Sequence, residues 1–500
     1  MRRARPNSSA PVDSGRRALL SGIAASGAAL AFPGLIPAAC AQPAATGPVL
    51  RSSAFRSFGE AVARWSRAGG VLIVDRDHVE PAPIMMVCVP GLSYRLTSEG
   101  ARTISYGGPH FHWLLRIHST GQNPFVIDGD LTFDGRSNCS IPFYASFERV
   151  FGAARRDFSV DGLTARNARM RRGVSRIDGS PTDAFGAAAM NFHGGFDRLH
   201  LRNVRAFDVS RDAGAGRPGS QGSIGIGVIG ALETTASARH VTIEDFEIAR
   251  IDSDDRPGSP QRFDIDGLSV FQAAEAGGSR PIIQRGTIRE AAGRAIKVFA
   301  PGGGGVTRDI IVHRSVHGIT DGSNDIAHQH GDGVIENIVF HYSGNAHSQP
   351  TYSIGMSAGH VRARGFPFTR GVIRNVTIND TTGRPKGAIV ALYASQPDPS
   401  PRAYLLADIT DSGSARQLLM PGRLGDDGPA AIVVERVSVN LTAALILSNA
   451  RNARLTVTAR GLVNRAARAA PFRAMGDGRP APIGYGGTLD ADATVRGVDR

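Results

Sequence analysis

Five hundred residues exceed one ordinary domain, although a single elongated repeat fold can use a chain of that length. Hydrophobic residues at 41%, charged residues at 20% and 61 glycines make it too apolar for disorder and too rich in turn formers for a helical bundle. Three cysteines exclude a disulfide scaffold, and no uninterrupted apolar run of membrane-spanning length follows the N-terminal region.

Lys and Arg exceed Asp and Glu by 57 − 44 = +13. Only Lys297 and Lys386 are lysines, so 57 − 2 = 55 of the cations are Arg. Two readings of that surplus stand: compositional bias of the source genome, or attraction to a polyanion. No Arg/Lys run with interleaved aromatics occurs, which argues against nucleic acid as a partner.

In chain order, residues 1–41 read as an export signal outside the fold. Ser14-Gly15-Arg16-Arg17-Ala18-Leu19-Leu20 resembles a twin-arginine motif, Ala18 to Leu35 is only mildly apolar, and Ala39-Cys40-Ala41 fits a cleavage site. Cys40 also permits a lipid anchor, though Pro37 departs from that pattern. The mature chain is then periplasmic or secreted, without a transmembrane span. Its charge is 52 − 43 = +9, because five Arg and Asp13 leave with the signal. Cys88 and Cys139 remain, either paired or as two buried thiols. Residues 42–54 read as a linker.

The first mature element is a helix. Ser57 is its N-cap and Glu60 completes a capping box. Phe58, Val62 and Trp65 share a face, and Gly69-Gly70 ends it. From Val71 to about Val463 the chain reads as short strands, each preceded by a turn residue. Asn203-Val204, His240-Val241, Asp309-Ile310, Asn337-Ile338 and Asn375-Val376 are examples. Asp309 to Asn337 is 28 residues and Asn337 to Asn375 is 38, periods that suit a solenoid. Asn at such a position can turn left-handed and hydrogen-bond its counterpart one coil away. Arg169–Asn191, Arg211–Gly230, Asp252–Arg262 and Gln396–Pro429 read as loops walling a groove, and 464–500 as a C-terminal cap or tail.

The helix, the Gly-Gly strand, Val126-Ile127-Asp128-Gly129 and the Asn-Val rungs together resemble the pectate-lyase-like right-handed parallel β-helix superfamily. The resemblance covers about residues 55–463. It implies an all-β, single-stranded right-handed solenoid with an N-terminal capping helix. The superfamily includes polysaccharide lyases, glycoside hydrolases and non-catalytic surface proteins, so the fold does not choose an activity.

Three clusters carry candidate chemistry. Asp264 and Asp266 stand at i, i+2, about 7 Å apart on one strand face, where a general acid/base pair or a metal site fits; a pair of turn-forming Asp is the plain alternative. Lys297, in Ala295-Ile296-Lys297, suits a base or a partner for a substrate carboxylate, or else a solvated surface position. His328, His330 and Asp332 share a face if extended, which fits substrate binding, proton shuttling, or a divalent cation such as calcium. Separated by about one coil each, Asp264/Asp266, Lys297 and His330/Asp332 are expected to stack in one groove, at a lateral spacing of about 4.8 Å. The resulting expectation is an exported enzyme that cleaves a polysaccharide, acidic by preference, through β-elimination or hydrolysis. A non-catalytic glycan-binding or exopolysaccharide-assembly protein is the alternative. The ordered motif set of polygalacturonases is incomplete, since His330-Gly331 follows the Lys.

Overall fold

The computed structural model describes residues 47–147, 157–172, 186–215, 221–229, 238–254, 264–272, 280–300, 304–315, 324–329, 333–344, 352–358, 370–394, 401–420, 429–446, 455–465, 474–476 and 479–481. The expected leader lies outside them, as does most of the expected tail. Among the described residues the only pairing that is not parallel joins Ala474–Gly476 to Arg479–Ala481.

The remaining strands form two long parallel sheets, of eighteen and twelve strands among the described residues. The chain alternates between them. His240–Ile251 lies in the long sheet, Asp264–Phe271 in the short one, Ile282–Ala291 in the long one, Arg294–Phe299 in the short one, and so on to Leu455–Arg460. Each strand pairs in parallel with its counterpart one coil later. This is a right-handed parallel β-helix, with the handedness that strand twist imposes on parallel crossovers.

The long-sheet strands bend at a recurring residue with positive φ. Asn203, Asp245, Arg285, Asp309, Asn337, Asn375, Asp408 and Arg436 all have φ between 51° and 57°, one per coil at the same register. Gly129 and Gly162 precede them in the column and Gly461 follows. The expected ladder exists: Asn337 Nδ2 donates to Asp309 Oδ1 at 2.8 Å, and Asn375 Nδ2 to Asn337 Oδ1 at 2.7 Å. At the His240 coil the bend falls on Asp245 instead. A second column of bends holds Asn167, Asp208, Arg250 and Glu290.

On the outer face of the long sheet, Arg side chains reach carboxylates one coil away. Arg198–Asp157, Arg285–Asp245, Arg374–Glu336 and Arg436–Asp408 are separated by 2.6–2.7 Å. Arg suits this position because its fork spans the inter-strand gap and engages both carboxylate oxygens. The Arg surplus is thus partly an inter-coil ladder.

Helix α1 (Phe58–Ala68) closes the N-terminal end and buries Phe58, Ala61, Val62 and Trp65. Ser57 Oγ accepts from Glu60 N–H at 3.0 Å, and Glu60 reaches back to the N–H of Arg56, one residue before the N-cap. The buried Glu80 takes the N–H groups of Phe58 and Gly59 at 2.7 and 3.2 Å, two of the donors a helix start leaves unmet. Gly69 and Gly70 have φ of 66° and 78°, and Trp65 Nε1 donates to the Gly70 carbonyl at 3.0 Å. Val49–Arg51, expected as linker, pairs in parallel with Val71–Ile73. The first edge is therefore covered by a strand as well as a helix.

Three expected loops contain strands. Ala187–Gly194, Gln221–Ile229 and both Arg402–Asp411 and Ala415–Met420 belong to the sheets. The glycines of Gln221–Ile229 disguised it. A Cβ on Gly225 would stand 2.4 Å from the Gly267 carbonyl oxygen and 2.6 Å from Ile248, so close coil packing excludes a side chain there. The rest of the expected loop segments lies largely outside the described residues.

The lumen changes character along its axis. Toward the N-terminus it is aromatic: Phe125 stacks on Phe158 at 4.9 Å, and Phe133, Phe143, Phe147, Phe192 and Phe196 follow. Farther on it is aliphatic, with a buried polar group among the branched side chains. Asp325 is bonded by Arg314 and by the Tyr342 hydroxyl, which lies 3.1 Å from Ser353 Oγ. Cys88 and Cys139 are separate buried thiols, and burial pushes both up, Cys88 to about 12.

Candidate functional site on the outer face of the short sheet

Short-sheet strands bend near their start, and the bend sets which side chains face out. Ile265, Leu268 and Val270 are in the core, and a Cβ on Gly267 would meet Ile288 of the opposite sheet at 3.1 Å. Asp266 and Ser269 therefore both face outward, on either side of the corner. Ser269 Oγ donates to Asp266 Oδ2 at 3.1 Å, a contact that residues three apart on a straight strand cannot make.

Register carries these positions to the next coil. Asp266 lies beside Arg294, Ser269 beside Lys297, and Phe271 beside Phe299. Arg294 Nε donates to Asp266 Oδ1 at 2.7 Å. Lys297 Nζ sits 4.9 Å from the Phe271 ring centroid, and Phe271 stacks on Phe299 at 5.4 Å. Asp266 is wholly buried, Lys297 is 7% exposed, and the Arg294 side chain is 16% exposed.

The same outward columns run back to an aromatic end. Ser269 is preceded by Gly227, Asn191, Tyr144 and Arg116. The Arg116 guanidinium lies 5.1 Å from the Trp113 ring and 5.2 Å from that of Tyr144. Asn191 is wholly buried, yet among the described residues neither of its amide atoms has a hydrogen-bond partner, nor has Trp113 Nε1 or Arg116 Nε. Buried polar atoms are nearly always satisfied, so four such atoms on one strip mark a place built for a polar ligand or ordered water.

Of the expected residues, Asp266 and Lys297 therefore share this face on adjacent coils. Asp264 begins the same strand opposite Gln221, and its side chain lies outside the described residues. His330 and Asp332 lie outside them as well. For His328 the expectation of a surface ligand is corrected. It falls in the lumen column between Val298 and Met356, its Nε2 is 2.8 Å from Thr307 Oγ1, and burial pushes its pKa down to about 3. The alternation argument misassigned its face. Among the described residues no group of three or more His, Cys, Asp or Glu is placed to hold a metal.

Sequence reasoning missed Trp113, Arg116, Asn191 and Ser269. The available signal was Asn191 itself, a lone amide inside the apolar run Ala187-Ala188-Ala189-Met190-Asn191-Phe192.

No protein-family model matches the sequence, and no curated protein matches it. Three solved structures are similar in fold. The catalytic unit of a thermostable GH87 α-1,3-glucanase from Streptomyces thermodiastaticus strain HF3-3 is 14% identical, with a TM-score of 0.40 over 91% of this chain and 70% of that one. The Agl-KA catalytic domain is 13% identical, with a TM-score of 0.37 over 91% and 69%. A GH87 α-1,3-glucanase catalytic domain in complex with tetrasaccharides is 11% identical, with a TM-score of 0.34 over 90% and 68%. Likenesses this distant do not bear on what this chain binds. The fold itself, read from its own strand pairing, is a right-handed parallel β-helix.

Proposed function

We propose that this chain is an exported carbohydrate-active enzyme that binds an acidic polysaccharide along the outer face of the short sheet and cleaves it beside Asp266 and Lys297. The observation that carries the reading is their position: adjacent coils, one face, with Arg294 and Ser269 orienting the carboxylate and Phe271 beside the ammonium. The described side chains of this cluster offer one carboxylate and two cations. That set suits elimination, in which a cation neutralises a uronate carboxylate while a base removes the adjacent proton. Lys297 fits the neutralising role and Asp266 the base. The strip through Asn191 to Trp113 supplies hydrogen-bonding and aromatic contacts for further sugar units. Export, as read from the leader, puts the chain where such polymers occur.

The test is incubation with a panel of acidic and neutral polysaccharides, reading both unsaturated-product absorbance and new reducing ends. Absorbance with an acidic polymer is expected. Reducing ends without absorbance would replace elimination by hydrolysis. Binding with neither product would leave a glycan-binding protein and end the enzymatic reading.

A further inference from the structure

The second lysine of the chain sits in a different setting. Lys386 is wholly buried where a short-sheet strand begins, between Asp380 and Asp411 at or near the ends of two long-sheet strands. Its Nζ is 2.5 Å from Asp380 Oδ2. It is 3.1 Å from Asp411 Oδ1 and 3.0 Å from Asp411 Oδ2, so it faces that carboxyl group across both oxygens. The Tyr342 ring lies 5.8 Å from it, and the Gly413 N–H donates to Asp411 Oδ1 at 3.0 Å. Thr382 donates to the other Asp380 oxygen, from N–H at 3.0 Å and from Oγ1 at 2.6 Å. Arg465 reaches only the backbone carbonyl of Asp411.

An acid removed from water is driven to keep its proton. Burial pushes the Asp411 carboxyl up from its usual range, which makes Asp411 that acid. The triad then holds an ammonium, a carboxylate and a carboxylic acid in contact, with water excluded. These are the reactants of amide condensation, held together at high effective concentration.

We propose that Lys386 and Asp411 become joined by an isopeptide bond, with Asp380 as the proton acceptor. Asp380 Oδ2 takes a proton from the Lys386 ammonium. The amine attacks Asp411 Cγ, and the new N–Cγ bond forms as the negative charge gathers on Oδ1, where the Gly413 N–H receives it. The Cγ–Oδ2 bond breaks. Oδ2 leaves as water, carrying the proton it already held and a second one from the nitrogen. Oδ1 remains as the amide oxygen, and Asp380 ends protonated. The step needs no oxidant and no co-reactant. The bond closes a loop across 25 residues of separation and staples successive coils at the corner between the sheets.

Mass spectrometry of the folded full-length chain tests this. Expected are an intact mass one water below that of the unlinked chain and, after denaturation and digestion, a branched peptide joining the Lys386 and Asp411 segments. Lys386→Arg is expected to restore the missing water. Wild-type protein at full mass, yielding separate linear peptides, overturns the proposal whatever the variant does. So does a water loss traced to another site, or a branch from Lys386 to Asp380, which would reverse the assigned roles.

Discussion

The two outer faces of this β-helix spend their polar residues differently. On the long sheet the charges are exposed and pair with the next coil, as Arg250 does with Asp208 at 2.5 Å and Arg436 with Asp408 at 2.6 Å. On the short sheet Asp266, Lys297 and Asn191 are buried, and Asn191 has no hydrogen-bond partner among the described residues. Exposed pairs contribute little to stability and serve register and solubility. Buried polar groups cost free energy, and a fold that keeps them usually uses them.

The largest expected effect tests that contrast directly. On a polysaccharide substrate, Lys297→Met should lower kcat/KM by about 100-fold or more, the range of one positioned proton-transfer or charge-neutralising group. Its melting temperature should stay close to that of the parent. Arg250→Met, on the other face, should leave turnover unchanged. Equal activity in both variants would erase the functional distinction between the faces.

Next comes the lumen behind the covered face. Burial holds His112 and His328 neutral, with pKa values lowered from 6.5 to about 3. Below pH 6.5 the unfolded chain binds protons that the folded chain refuses, so stability falls as pH drops from 6.5 toward 3. Each ring contributes about 1.4 kcal/mol per pH unit across that window. His328→Met should therefore flatten the decline in urea midpoint between about pH 6.5 and 5. An unchanged slope would mean that His328 is hydrated.

The short-sheet strip can also be probed where it is not catalytic. Asn191→Leu should cost no stability, because it removes a buried amide whose partners are absent among the described residues, yet it should weaken oligosaccharide binding about tenfold, the loss of one hydrogen-bonding group. A destabilised variant with unaltered binding would make Asn191 structural. On the long sheet, Asn337→Val puts a β-branched residue at φ 56° and should cost about 1–3 kcal/mol in chemical denaturation. The smallest effect is expected for Arg436→Ala, at most about 1 kcal/mol and fading with added salt.

How much was legible follows the same division. The Ser57 cap, the Trp65 face and the Asn203, Asn337 and Asn375 bends were readable because each rests on a local backbone demand that few residue types meet. Arg285 and Arg436 fill the same bends without a favourable propensity, held by ion pairs one coil away, and nothing local announces that. Asp266 and Lys297 were legible as polar residues in apolar runs. His328 was assigned to the wrong face because strict alternation cannot tell lumen from surface without knowing where the strand bends. The strand at Gln221–Ile229 was hidden because its glycines answer to a neighbouring coil rather than to their own segment.

The N-terminal helix has a consequence for force. Each coil is held chiefly by the coils before and after it, so the molecule behaves as a row of springs in series. At the N-terminal end Glu80 and Trp65 bolt helix α1 to the first coils. A pull on the far end would first unwind the coils beyond Asp411, in steps of about one turn. A pull on the near end would first have to tear out a packed aromatic plug. The two directions should give different rupture traces from one and the same chain.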